Sequence, residues 1–284
     1  MEARRGLKST SAILAFLCGF VFSPASHAGS IKVAVASNFL STAKLLKAEF
    51  EQQGSHDIQI ISASTGQLSH QILNGAPFDV FLSANKQHPV SLKQQLNLPQ
   101  DALFQYAQGS LVLITHQAIN KLPTISTDLR KVLSSSHPAD TVASELQHNI
   151  IEQVLLTANK VAIANAKLAP YGQASEETLS TLSLSQLIKR KTVKGQNIAQ
   201  TFQFFTSGSA DAAFVANSHW LQSKQDAKGV IHIDPKWHQP IEQWGLTINP
   251  SQTSQAFVQF LSQANAVRII KASGYSPVQS SLIP

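Results

Sequence analysis

Residues 31–39 read Ile-Lys-Val-Ala-Val-Ala-Ser-Asn-Phe, and residues 58–66 read Ile-Gln-Ile-Ile-Ser-Ala-Ser-Thr-Gly. Each stretch runs an apolar strand into a corner of small hydroxyl or amide residues. In the first, Ile31, Val33 and Val35 alternate with Lys32, Ala34 and Ala36, the period of a strand. Ser37-Asn38 then offers helix N-caps, and Phe39, Ala43, Leu46 and Phe50 fall on one helical face. In the second, Ser64-Thr65-Gly66 leads into a helix carried by Leu68 and Ile72 and stopped at Asn74-Gly75. Pro77 follows, and Phe78 to Leu82 reads as a third strand. Strand, helix, strand, helix, strand implies a parallel sheet with helices on its faces.

The pattern restarts further along. Leu111 to Ile114 reads as a strand that carries the chain into a second unit, and Val161 to Ala164 as another. Pro170-Tyr171-Gly172 leads into a helix over 173–182, and Thr192-Val193 suggests a short strand. Asn197 caps a helix with Ile198, Phe202 and Phe205 on one face. Ala212 to Val215 and Gly245 to Ile248 are apolar strands, and two amphipathic helices close the chain. Residues 117–159 are harder to read: a Ser/His/Pro loop at Ser134–Pro138 precedes an apolar stretch at Ile150–Leu156. The expected fold is α/β with two hinged lobes. Each lobe is a mostly parallel sheet flanked by helices, with a ligand cleft between them. The first lobe takes 29–110 and 240–284, the second 111–239.

The chain start reads as an export signal. Arg4, Arg5 and Lys8 precede an apolar stretch from Ala12 to Phe22, then Pro24, then a small-residue cleavage pattern at Ala25-Ser26-His27-Ala28. Residues 1–28 are therefore expected to be removed, which places the protein in the periplasm. The single cysteine, Cys18, lies inside that stretch, so no disulfide or thiol chemistry is expected of the rest. Losing three basic and one acidic residue takes the net charge from +6 to +4. That is mild and dispersed, with no Lys/Arg run of the kind that marks nucleic-acid binding. Charged residues make up 13%, about half the usual share, and the polar surface is Ser, Thr, Gln and Asn instead.

Four strand-to-helix corners share one chemistry: Ser37-Asn38, Ser64-Thr65-Gly66, Pro170-Tyr171-Gly172 and Asn197-Ile198. Each brings neutral side-chain donors or the unpaired N–H groups of a first helical turn, where the helix dipole favours an anion. Any one of them alone is an ordinary N-cap. Two in each half, all at the carboxyl ends of strands, suit one small anion between the halves.

Several motifs carry a family resemblance. They are Val35-Ala36-Ser37-Asn38-Phe39, Ser62-Ala63-Ser64-Thr65-Gly66-Gln67-Leu68, and the run from Gly75-Ala76-Pro77 to Leu82-Ser83-Ala84. Ala169-Pro170-Tyr171-Gly172, Gly195-Gln196-Asn197-Ile198, Ala213-Phe214-Val215-Ala216 and Gly274-Tyr275-Ser276-Pro277 extend it over nearly all of the chain. Together they resemble the periplasmic molybdate-binding proteins of ABC importers. The resemblance implies a type II binding-protein fold, molybdate or tungstate as ligand, a membrane permease as partner, no cofactor and no catalysis. Mapped residue by residue, it gives Ser37 and Thr65 as hydroxyl donors, with Ser64 an alternative to Thr65. Asn38 supports Ser37 with its N–H, while Tyr171 and the Asn197-Ile198 corner give backbone N–H groups. One departure is Ala216, which stands where some members place a tyrosine hydroxyl on the anion; the Tyr171 phenol is a candidate substitute. The protein is expected to act as a monomer, with no nucleic-acid partner and no cation site, the metal arriving only inside the oxyanion.

Rival readings are weaker. Sulfate or phosphate is the alternative ligand; an acceptor such as Asp79 or Glu152 in the ring of donors would favour a protonated anion. Ser41-Thr42-Ala43-Lys44 and Ser83-Ala84-Asn85-Lys86 both match the S-x-x-K of serine acyl-enzymes, but the companion motifs are missing. The histidines, among them His70, His88, His148, His219 and His232, show no metal-ligand spacing. Trp220, Trp237 and Trp244 read as packing residues.

Overall fold

The computed structural model describes residues 29–54, 56–119, 139–223 and 227–278. The leader read over 1–28 and the Ser134–Pro138 loop lie outside these residues. Two five-stranded sheets organise the molecule. The first has the order β2-β1-β3-β10-β4, built from β1 (Gly29–Ala36), β2 (His56–Ala63), β3 (Val80–Ser83), β4 (Leu103–Gly109) and β10 (Ile241–Thr247). The second has the order β7-β6-β8-β5-β9, from β5 (Leu111–Thr115), β6 (Val161–Ala164), β7 (Thr192–Gly195), β8 (Ala212–Ala216) and β9 (Gly229–His232). Each sheet with its helices is one lobe.

Both sheets are mixed. In the first, β1 pairs in parallel with β2 and β3, while β10 runs antiparallel between β3 and β4. In the second, β6 is parallel to β7 and β8, while β5 is antiparallel to β8 and β9. The antiparallel pairs all involve strands adjoining the two places where the chain changes sheet. One is the step from β4 through Ser110 to β5, the other the run from β9 to β10. The parallel strands carry the helices.

The helices of the first lobe are α1 (Leu40–Glu51), α2 (Thr65–Leu73), α3 (Gln87–Gln95), α9 (Gln252–Phe260) and α10 (Ala264–Ala272). Those of the second are α4 (Ala139–Thr157), α5 (Pro170–Thr181), α6 (Ser185–Ile188), α7 (Ile198–Thr206) and α8 (Asn217–Gln222). One face of the first sheet is closed by Phe39, Leu46, Phe50, Phe257 and Phe260, and Phe50 meets Phe257 edge to face at 5.4 Å. Leu68, Ile72, Phe81 and Leu92 close the other. No helix among the described residues is long and apolar enough to cross a membrane.

Several elements differ from the periodicity reading. β4 escapes it because its residues are buried on both faces, so no alternation marks it. α3 is largely polar and carries Pro89, which is tolerated because it sits in the first turn. β10 starts at Ile241, four residues before the expected Gly245, with Glu242 and Gln243 interrupting its apolar run. α5 starts at Pro170, whose missing N–H is no loss at the first helical position.

Asp79 ties together β1, β3 and the end of β10, the three central strands of the first sheet. Its Oδ2 accepts from the Lys32 N–H at 2.7 Å, its own N–H donates to the Lys32 carbonyl, and its carbonyl accepts from Ile248 and Asn249. It is a structural carboxylate at the start of β3. Asp79→Ala should lower the unfolding free energy by about 1–2 kcal/mol. Denaturant melts should register that loss with no change in ligand affinity.

Candidate functional site

The first corner follows β1 directly. Ser37–Phe39 forms one turn of 3-10 helix, with Ser37 and Asn38 both buried. Their carbonyls point to the second lobe and to the C-terminal segment. The Ser37 carbonyl accepts from His219 Nε2 at 3.1 Å. The Asn38 carbonyl accepts from Ser218 Oγ at 3.0 Å and from the Tyr275 hydroxyl at 2.7 Å. The Asn38 amide donates to Gln243 Oε1 at 2.8 Å and to the Tyr275 oxygen at 3.1 Å. That side chain is therefore fixed in the protein, which leaves its backbone N–H as the group Asn38 can offer. The Ser37 hydroxyl has no hydrogen-bond partner among the described residues.

At the second corner the two hydroxyls have different fates. Ser64 caps α2 in a closed box: its oxygen accepts from the Gln67 N–H, and its proton goes to Gln67 Oε1 at 2.7 Å. Thr65 Oγ1 accepts from the Ala84 N–H at 3.1 Å and keeps its proton. Thr65 is 1% exposed, and its backbone N–H has no acceptor among the described residues. Of the two neighbours, Thr65 is the one with a hydroxyl and an N–H to give. Next to it, the Gly66 N–H donates to the Leu168 carbonyl of the second lobe at 2.9 Å. A Cβ at Gly66 would stand 3.2 Å from that oxygen and 3.3 Å from the Leu168 Cα, so any side chain there would press the two backbones apart by a few tenths of an ångström.

The second lobe brings two helix starts. In α5, Gly172 and Gln173 both donate to the Ala169 carbonyl. Pro170 has no N–H, so Tyr171 carries the first unpaired amide. In α7, Asn197 Oδ1 takes the Gln200 N–H at 2.9 Å, and the Asn197 carbonyl takes that of Thr201. Asn197 is thus a cap, and the Ile198 N–H beyond it is free among the described residues.

These corners converge. Ala36 and Ala84 of the first lobe share one buried cluster with Tyr171 and Ile198 of the second. They are the neighbours, in chain and in hydrogen bonding, of Ser37 and Thr65. α7 also packs on the 3-10 turn itself. The Tyr171 ring lies in the same cluster as Ala216. Its buried hydroxyl ends against Gly109, where a Cβ would stand 2.0 Å away, and near the Gln243 amide. It lies beside Asn38 and Tyr275 yet makes no good hydrogen bond there.

The convergence is electrically neutral. Burial raises the Tyr106, Tyr171 and Tyr275 hydroxyls above the usual phenol range, so all three stay protonated. Burial lowers His219 to about 4, against a smaller opposing effect of its bond to Ser37. Burial also lowers His88. Glu177, at the mouth of the cleft, has its oxygens engaged by Gln173 and the Gln239 N–H. What remains is a set of N–H and O–H donors without a counter-ion, at the positive ends of α2, α5 and α7. No group of three or more metal-ligating residues occurs among the described residues. The S-x-x-K matches do not assemble a nucleophile. The Ser83 hydroxyl donates to the Asn85 carbonyl, and Lys86 sits 4.6 Å over the Trp244 ring.

Four residues of this network went unread in the sequence. Gln243 is a lone amide in an apolar strand, Tyr275 belongs to a motif with no assigned role, and Ser218 and His219 lie on a short helix without periodicity. Only Gln243 carries a signal, a buried polar residue interrupting a strand.

The model of the bacterial extracellular solute-binding protein family matches residues 31–276. The molybdate-binding protein ModA of Azotobacter vinelandii is 30% identical over 273 residues, 94% of this chain and 98% of that protein. The molybdate-binding protein ModA of Rhodobacter capsulatus is 30% identical over 272 residues, 95% of this chain and 96% of that protein. Among solved structures, the periplasmic molybdate-binding protein of Azotobacter vinelandii superposes with a TM-score of 0.70 at 30% identity. It covers 88% of this chain and 100% of that one. The chain belongs to the bacterial extracellular solute-binding protein family.

Proposed function

We propose that this protein captures molybdate or tungstate in the periplasm and presents it to the membrane permease of an ABC importer. The observation that carries the reading is the donor set: the Ser37 and Thr65 hydroxyls and the unpaired N–H groups of Thr65, Tyr171 and Ile198, gathered in a neutral cleft. Asn38 adds its backbone N–H, while Ser64 and Asn197 hold the helix starts in place. A fully deprotonated dianion needs donors only. A protonated phosphate needs an acceptor as well, and Asp79 and Glu177 are engaged elsewhere. Sulfate shares the charge and shape of molybdate in a smaller size, so it is the competitor to test. In this reading residues 1–28 are the leader, 29–110 with 240–284 form the first lobe, and 111–239 form the second. The mature protein works as a monomer without a cofactor or a nucleic-acid partner.

Thermal-shift measurements on the mature protein should show strong stabilisation by molybdate and tungstate and weak stabilisation by sulfate at equal concentration, through mass action on the folded state. Stabilisation by sulfate with indifference to molybdate overturns the ligand assignment.

The donors make graded predictions for titration calorimetry. Ser37→Ala and Thr65→Ala each remove a hydrogen bond to a buried charge and should cost about 1.5–3 kcal/mol, roughly ten- to hundred-fold in affinity. Tyr171→Phe should be nearly silent, because the residue serves through its backbone and the lost hydroxyl lacks a good partner. Full affinity in both alanine variants means the donors lie elsewhere.

Closure of the lobes brings the two halves of the donor set together, and the Gly66 contact with Leu168 limits how close they come. Gly66→Val should hold the lobes apart and weaken molybdate binding at least about tenfold, with the ligand-free melting temperature nearly unchanged. Small-angle scattering should then show the ligand-induced contraction in the wild type and not in the variant.

A further inference from the structure

Anion capture gives no role to His219, yet this half-buried ring spans the cleft. It stands on α8 of the second lobe and binds the carbonyl of Ser37, the first hydroxyl donor, in the first lobe at 3.1 Å. A carbonyl only accepts, so Nε2 carries the proton. Nδ1 is then the bare nitrogen of a neutral ring, buried with no partner among the described residues. The ring stacks on Phe202 at 5.6 Å. A second proton would go to Nδ1 and create a buried cation whose new N–H has no acceptor, a costly state.

We propose that His219 is a positioning residue for the anion site: its neutral ring holds Ser37 in place across the closed cleft, and its protonation in the open state opposes capture. The inference rests on the oxyanion reading of the cleft. The donors of that site touch oxygens of the anion and not a metal atom.

Among the described residues, the elements packed against the ring bring no charge to offset its protonation. The 3-10 turn 37–39, α7 and the rest of α8 carry no ionisable side chain besides His219 itself. The Tyr275 hydroxyl, 2.9 Å from the Ser218 oxygen, is held protonated by burial. Gln222 of α8 meets Thr42 of α1, whose ionisable residues are Lys44, Lys47, Glu49 and Glu51. Lys44 is exposed, and Lys47 pairs with Glu51. Asn217 Oδ1 is a buried acceptor on the same helix, but it is not bonded to His219.

The sign follows from linkage. Closed, the ring is held at about 4; solvated in an open cleft it returns toward 6.5. The closed state therefore binds fewer protons. Affinity is full above the open-state value and falls by up to about tenfold per pH unit as pH drops from about 6.5 toward 4.

The test is calorimetric titration with molybdate at pH 7.5, 6.5 and 5.5, on the wild type and on His219→Gln, with circular dichroism melts to verify folding. Glutamine keeps an N–H for the Ser37 carbonyl and cannot titrate. Wild-type affinity should fall about tenfold between pH 7.5 and 5.5. The variant should bind within about threefold of wild type at pH 7.5 and stay flat. A flat wild-type profile, or the same slope in the variant, overturns the proposal. No molybdate binding by the wild type at pH 7.5 overturns the site reading and this inference with it. Binding that is present but independent of pH overturns this inference alone. Should the variant fail to fold, imidazole NMR on the wild type decides. One histidine signal should titrate in this range without molybdate and stop titrating at saturation; if the same signals titrate in both states, the proposal is wrong.

Discussion

The geometry of the cleft hangs on Asn38. Its amide reaches Gln243 on β10 and Tyr275 near the C-terminus, and its carbonyl accepts hydrogen bonds from Tyr275 and Ser218. Segments more than two hundred residues apart in the chain thus meet on one side chain and its own backbone. The residue is buried, so each of these groups would lose water and gain nothing if its partner moved. Side-chain bonds in a low-dielectric interior leave few competing arrangements for the groups that make them. That constraint sets the direction of the 3-10 turn, and with it the place of the Ser37 hydroxyl and the Asn38 N–H. Rigid donors bind an anion without first giving up conformational freedom, which is where much of the cost of binding otherwise lies.

Among the described residues, the four corners carry no Lys or Arg side chain. A lysine or arginine in the cleft would attract anions of many shapes, since a point charge is forgiving about distance. Hydrogen bonds from helix starts are short-ranged and directional, so their sum depends steeply on the size of the anion. The three free helix starts also contribute oriented dipoles that cost no counter-ion desolvation. The same neutrality explains His219. Among neutral donors, a second proton on that ring would make a cation whose hydrogen has no acceptor among the described residues.

The first lobe was largely legible. β1, α1, β2 and α2 each carry a clean period, and their corners name themselves through cap residues. Offering Ser64 as an alternative to Thr65 is looser than the sequence requires. Ser64-Thr65-Gly66-Gln67 is a capping box by its spacing, which already commits the Ser64 hydroxyl to Gln67. β4 and β10 were poorly legible for a physical reason. Both are buried on two faces or interrupted by buried amides, so the alternation that marks a strand is absent. The insertion of β10 between β3 and β4 is a long-range pairing that no local pattern encodes. Gln243, Ser218, His219 and Tyr275 were missed for the same reason. Each acts through one contact with a distant residue, and single polar residues in apolar surroundings look alike until the chain is folded.

The two sheet crossings run side by side, and Tyr171 ties the cleft to them. β4 and β10 are paired up to Gly109 and Ile241, and beyond the crossing the Ile233 N–H bonds the Leu111 carbonyl. The lobes are therefore joined by two strands held to each other on either side of the crossing, a geometry that favours rotation over sliding. The Tyr171 backbone opens α5 in the second lobe, while its phenol lies against Gly109 at the crossing. Only glycine there leaves room for the ring. One residue thus places an unpaired N–H at one end and a contact with the sheet crossing at the other. Any rotation that opens the cleft must shift this ring relative to Gly109 and Asn38, where its hydroxyl has no strong bond to break. The weakly held phenol thus adds nothing to the cross-lobe bonds that such a rotation would have to break, those of Ser218 and His219 with the carbonyls of Asn38 and Ser37.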